Sequence, residues 1–209
     1  MYNYFVYVVD SQSPMDLCNG RSIATGLRDA LTSIRIPCEY FLALNKEMFT
    51  YALGQALEEL VLRKKLQGGV NPYPIIHLSM HGNKTGIGLT SGEYVSWSEL
   101  QKLLEPFKKL LGEAPVLCMG SCEGMHAADW GGLSANSYKC IIGNAEKVLQ
   151  SDLTTGYLAF YNGVFYHTTD AEKLISVMRQ ASFDQNFYYQ KGAGTNVVQF
   201  KSAMATDRQ

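Results

Sequence analysis

Residues 75–124 read IIHLSMHGNKTGIGLTSGEYVSWSELQKLLEPFKKLLGEAPVLCMGSCEG. Two apolar runs bracket this stretch: IIHLSM (75–80) after Pro74, and VLCMGS (116–121) after Pro115. Each is short, continuous and bounded by turn formers, as expected of a strand buried on both faces. The first closes on His81-Gly82 and the second on Cys122-Glu123-Gly124. Between them, GIGLTSGEYVS (86–96) predicts a small hairpin turning at Ser91-Gly92. Ser98 then opens a helix with Leu100, Leu103, Leu104, Phe107, Leu110 and Leu111 at helical spacing. This connection is long enough to bring the two strands side by side in parallel.

The same alternation continues outward. YFVYVV (4–9) and CEYFLAL (38–44) read as strands, separated by a helix that carries Ile23, Leu27, Ala30, Leu31 and Ile34 and stops before Pro37. Asn45 is placed to cap a helix bearing Phe49, Leu53, Ala56, Leu57, Leu60 and Val61, which ends at Gly68-Gly69. KCIIG (139–143) is a further strand, and Ser151 or Asp152 caps a helix to about Tyr161. Another helix runs from Asp170 to about Ala181, and NVVQF (196–200) reads as a last strand. Strands alternating with helices predict an α/β fold: a three-layer αβα sandwich around a mostly parallel sheet of about six strands. No repeat, low-complexity run or linker interrupts the chain, so residues 1–209 are expected to form a single domain.

Composition narrows the function classes. Net charge is −1 with no block of like charge, which gives no pull toward nucleic acid or an anionic membrane. MYNYFVYVVD at the start lacks a basic leader region, and its apolar run stops at Asp10. No apolar stretch reaches the roughly 18 residues that span a bilayer. A cytoplasmic protein is expected, with its five cysteines reduced and mostly serving as small apolar core groups.

In open parallel sheets, ligands bind beyond the carboxyl ends of the strands. His81 and Cys122 both stand at such ends. A cysteine attacks a carbonyl as its thiolate, and a nearby imidazole supplies the base and later protonates the leaving amine. Backbone N–H groups of Gly82 and Cys122 are the candidate oxyanion donors. Ser79 and Ser121 are candidate cleft-lining residues, with close packing of small side chains as the plainer alternative.

An apolar strand ending in His-Gly followed by one ending in Cys resembles the caspase-like cysteine proteases. SMHG (79–82), GLTSGEYVSWSEL (88–100), LCMGSCEG (117–124), IIGNAEKV (141–148) and YLAFYNGVFY (157–166) resemble in particular the CHAT domains of bacteria. The likeness covers roughly residues 73–180; before that, only the order of elements agrees. It implies the caspase-like fold and a cysteine endopeptidase acting on protein or peptide substrates through a Cys122–His81 dyad, without cofactor or metal. It further implies regulated proteolysis, with an activating protein or small signal molecule and antiphage defence as the setting. The run Gly120-Ser121-Cys122-Glu123-Gly124 departs from the Q-A-C-[RQG]-G of caspases proper. No processing loop or zymogen cleavage site is evident. Substrate-side candidates are Arg21, Glu123, Glu146 and Lys147. Lys147 falls where separase carries an aspartate associated with a basic P1 residue, so arginine at P1 is disfavoured. An acidic P1 residue and a small or polar one both stand.

Plainer readings sit beside these. Cys118, Cys122 and His126 are spaced by four, but zinc sites usually pair short-spaced ligands, and here a fourth would have to come from Cys140 or another distant group. His77, inside its strand, reads as a packed core histidine; His126 reads as a loop residue on the cleft rim. A catalytically silent caspase-like scaffold or signal sensor is the alternative function. A flavodoxin-like nucleotide-binding domain would share the layered sheet, but the chain has no G-x-G-x-x-G or P-loop.

Overall fold

Strand β1 (Tyr2–Ser11) is dominated by aromatic and β-branched residues, and its side chains divide by parity between two cores. The computed structural model describes residues 2–20, 22–68, 71–128 and 133–193. In it, Phe5, Tyr7 and Val9 enter one core, and Tyr4, Val6 and Val8 enter the other. A strand buried on both faces needs a helical layer on each side.

In chain order, β1 is followed by α1 (Pro14–Cys18), α2 (Ile23–Ser33), β2 (Cys38–Leu42), α3 (Lys46–Tyr51), α4 (Leu57–Gly68) and β3 (Asn71–Asn83). Then come β4 (Gly86–Gly88), β5 (Tyr94–Ser96), α5 (Trp97–Leu111), β6 (Val116–Gly120), β7 (Cys140–Asn144), α6 (Gln150–Tyr166), α7 (Ala171–Ser182) and β8 (Phe187–Lys191). The central sheet has the order β2-β1-β3-β6-β7-β8. All its pairings are parallel except that of β8, which runs antiparallel to β7. Phe49, Leu53, Leu57, Leu60, Trp97, Leu100 and Leu104 cover one face; Leu27, Leu31, Tyr157, Phe160, Tyr161, Leu174 and Met178 cover the other. The mostly parallel sheet between two helical layers is as the sequence predicts.

Several boundaries differ from the sequence reading, each for a local reason. Helix α5 starts one residue before Ser98: Ser96 is the cap, its hydroxyl accepting the Glu99 N–H while the Glu99 carboxylate accepts the Ser96 N–H. Ser96→Ala is expected to lower stability by about 1 kcal/mol, read as a shifted urea midpoint with unchanged slope. Asn45 does cap α3, through the Met48 N–H. The helix it begins is broken by a π-turn over Ala52–Ala56, where Gly54 leaves helical geometry at φ −102°, ψ −109°. Helix α6 starts after Leu149, ahead of the expected Ser151 or Asp152 cap, and runs on past Tyr161 through Gly163. That glycine is a packing residue rather than a stop: a Cβ there would come within 2.5 Å of Leu174 Cδ2 on α7. Helix α1 and strand β8 carry too little periodicity to be read from sequence. The strand expected at 196–200 lies outside the described residues. Among the described residues, no helix is long and apolar enough to cross a membrane.

Candidate active site

Parallel register places the carboxyl ends of three strands in one row. Asp10 of β1 pairs with Ser79 of β3, and Ser79 pairs with Gly120 of β6. Two residues further on stand His81 and Cys122. Beyond this row the sheet opens, because β3 continues into an antiparallel pairing of His81–Asn83 with β4. A small cleft of about 80 Å³ fills the opening, and both His81 and Cys122 line it.

The two strand ends are held together by close backbone packing. A Cβ at Gly82 would lie 2.5 Å from the Cys122 carbonyl oxygen and 2.9 Å from Ser121 Oγ. Only glycine fits there without moving the cysteine. Directly after the thiol, Glu123 takes the left-handed conformation (φ 53°, ψ 21°) and gives its N–H to the Glu146 carbonyl at 3.0 Å. The chain then enters a 3-10 turn over Gly124–Ala127. The hairpin made by β4 and β5 folds back over the end of β1. Thr90 donates its N–H to Ser11 Oγ and its hydroxyl to the Gln12 carbonyl.

The thiol and the imidazole each have a different neighbour. Cys122 Sγ lies 3.7 Å from the Val148 carbonyl. His81 Nε2 lies 3.9 Å from Asp16 Oδ2 on α1, and its side chain is 64% exposed. Asp16 is itself braced by the Ser13 hydroxyl at 2.6 Å. An imidazole this open can rotate without disturbing the core.

Of the other residues singled out from sequence, Ser79, Ser121 and Gly120 line the cleft. Glu123, Glu146 and Lys147 do not, and Arg21 lies outside the described residues. His126 sits on the 3-10 turn and does not line the cleft. Cys118 belongs to the core under the sheet, apart from Cys122. His77 is 1% exposed and meets the Tyr161 hydroxyl at 3.0 Å through Nδ1. Burial pushes its pKa down to about 3, so it is neutral.

The cleft also holds residues the sequence reading passed over: Asp10, Gln12 and Asp16. Asp10 is 1% exposed, and its Oδ2 accepts bonds from Tyr40 (2.8 Å), Gln12 Nε2 (2.9 Å) and Ser22 (3.0 Å). Burial raises its pKa, and the bonds from Tyr40, Ser22 and Gln12 oppose that rise. The signal was available, since Asp10 ends an apolar strand just as His81 and Cys122 do.

No family model matches the chain, and no curated protein sequence matches it. Solved structures do. The Drosophila initiator caspase Dronc aligns over 90% of this chain and 79% of its own, at 12% identity and a TM-score of 0.57. The complex of Porphyromonas gingivalis RgpB pro- and mature domains aligns over 94% of this chain and 49% of its own, at 11% identity and a TM-score of 0.50. The Arg-specific cysteine proteinase gingipain R aligns over 94% of this chain, at 10% identity and a TM-score of 0.51, and this chain spans 48% of its length. With a parallel sheet, two helical layers and this overlap with caspase and gingipain, the chain has the fold of the caspase-like cysteine proteases.

Proposed function

We propose that this chain is a cysteine endopeptidase in which Cys122 is the nucleophile and His81 the general acid and base. The observation that carries the reading is that Cys122 and His81, from adjacent parallel strands, line one open cleft. His81 takes the thiol proton, and the thiolate sulfur attacks the scissile carbonyl carbon. The new oxyanion is held by the N–H groups of Gly82 and Cys122, the Glu123 N–H being committed to Glu146. The C–N bond then breaks, and the imidazolium gives its proton to the departing amine. Water, deprotonated by the same imidazole, releases the acyl group and restores the thiol.

The thiol's contact with Val148 and the imidazole's approach to Asp16 fit a resting arrangement. The open imidazole can turn toward the sulfur and give a basal reactivity, which an activating protein or small signal molecule that holds it there would raise. The motif likeness to CHAT domains supports a role in regulated proteolysis, with antiphage defence as the proposed setting. A silent scaffold would have no use for a thiol and an open imidazole lining one cleft.

Thiol reactivity tests the reading. Burial pushes the Cys38 and Cys118 thiols up to about 12 and raises Cys140 as well. Their thiolate fractions at neutral pH are therefore about a thousandfold below that of an ordinary thiol. Limited iodoacetamide treatment with peptide mapping is expected to modify Cys122 first, ahead of the exposed Cys18, and at least about a hundredfold faster than Cys38, Cys118 and Cys140. Equal modification of all five cysteines, or Cys18 ahead of Cys122, would count decisively against a catalytic Cys122.

A further inference from the structure

Neither member of the proposed dyad is engaged with the other. Among the described residues no hydrogen bond joins Cys122 Sγ to the His81 ring: the sulfur lies against the Val148 carbonyl, and Nε2 faces Asp16 Oδ2. That carboxylate oxygen is fixed from within its own helix. It accepts the Ser13 hydroxyl at 2.6 Å, while Ser13 Oγ accepts the Asp16 N–H at 3.1 Å.

Helix α1 brings this carboxylate to the cleft on a thin mounting. None of its five residues is buried, and Met15 and Leu17 are 70% and 40% exposed. The segment leading into it is tied by the Thr90 hydroxyl to the Gln12 carbonyl and by Gln12 Nε2 to Asp10. A segment with so little buried apolar area can shift at small cost while the sheet stays intact. Its position matters to the chemistry, because a carboxylate and a thiolate compete for one cation. An imidazolium paired with Asp16 leaves the thiol protonated; one released from Asp16 can pair with the sulfur.

Resting on the endopeptidase reading above, we propose that α1 is an autoinhibitory latch: Asp16 holds the His81 imidazole off Cys122, and movement of α1 away from the cleft releases it. The pair is long at 3.9 Å, and the imidazole side of it is largely open to solvent, so the latch is weak. A weak latch lowers the reactive population severalfold without abolishing it, in keeping with a basal reactivity that can be raised. The same contact in an orienting role, with the carboxylate steadying the base, gives the opposite sign when the charge is removed.

The rate at which iodoacetamide alkylates Cys122 in the full chain tests this, read by peptide mapping with free glutathione as the internal reference. Asp16→Asn keeps the shape, removes the charge and is expected to raise that rate about two- to fivefold, the range an exposed ion pair supplies. Ser13→Ala frees the same carboxylate oxygen and is expected to raise it by a smaller factor. In a His81→Ala background, Asp16→Asn is expected to change nothing, because the latch acts through the imidazole. Equal acceleration in that background would mean that the carboxylate acts on the thiol directly, and overturns the latch. An unchanged rate in Asp16→Asn overturns it too, and a slower one makes Asp16 an orienting residue instead; each leaves the protease standing. A Cys122 rate that His81→Ala leaves unaltered, with Asp16 or with asparagine at that position, removes both.

Discussion

Replacing Gly82 by alanine is expected to destroy the site's chemistry while leaving a folded protein. The added methyl carbon would stand 2.5 Å from the Cys122 carbonyl oxygen, about an ångström inside contact distance. The obstacle is backbone, so no side-chain rotation relieves it. The ends of β3 and β6 must part, and the sulfur moves with its backbone. Overpacking of this kind typically costs about 1–3 kcal/mol, visible as a lower urea midpoint. A displacement of about 1 Å at the nucleophile costs roughly a hundredfold in rate. The expected result is a folded Gly82→Ala variant whose Cys122 is labelled about a hundredfold more slowly by a peptide acyloxymethyl ketone. Labelling at the wild-type rate would mean that the two strand ends do not form one catalytic unit.

His77 is expected to govern acid stability. It lies in the middle of β3 beneath Gly120, where a Cβ would meet its Nε2 at 2.5 Å. The Tyr157 and Tyr161 rings surround it, their centroids 4.5 and 5.9 Å away. Its pKa is about 3 in the fold, against an ordinary 6.5. Below pH 6.5 the unfolded chain takes up a proton that the folded chain refuses. The stability that His77 lends is therefore fully present above that pH and is lost as pH falls toward 3. Each pH unit in that window costs about 1.4 kcal/mol, so between pH 6.5 and 4.5 the loss is about 2–3 kcal/mol. His77→Gln removes the titration while keeping a polar group for Tyr161. Urea unfolding at the two pH values is expected to show a wild-type decline steeper than the variant's by that amount. Equal declines would show that water or a charge reaches the imidazole in the fold.

Much of the architecture was legible because it follows from burial alone. The run YFVYVV had to be covered on both faces, and the leucines of residues 100–111 had to cover something. Elements whose order depends on contacts were not legible. Strand β8 has a half-exposed, mixed sequence and exists as a strand by pairing with β7. Gly163 looks like a helix stop until α7 is seen packed against it.

The sequence by itself determined the layered sheet and put His81 and Cys122 at strand ends, since apolar run length and turn residues are local properties. Whether those ends meet, and with which neighbours, was decided by register. Asp10–Ser79–Gly120 form one row only because β1, β3 and β6 pair as they do. Lys147 is close to the cleft residue Val148 in sequence yet off its lining, whereas Asp10, far from Cys122 along the chain, shares the pocket with it. Charge near a reacting sulfur is a matter of distance through space, and that distance is fixed by the tertiary fold.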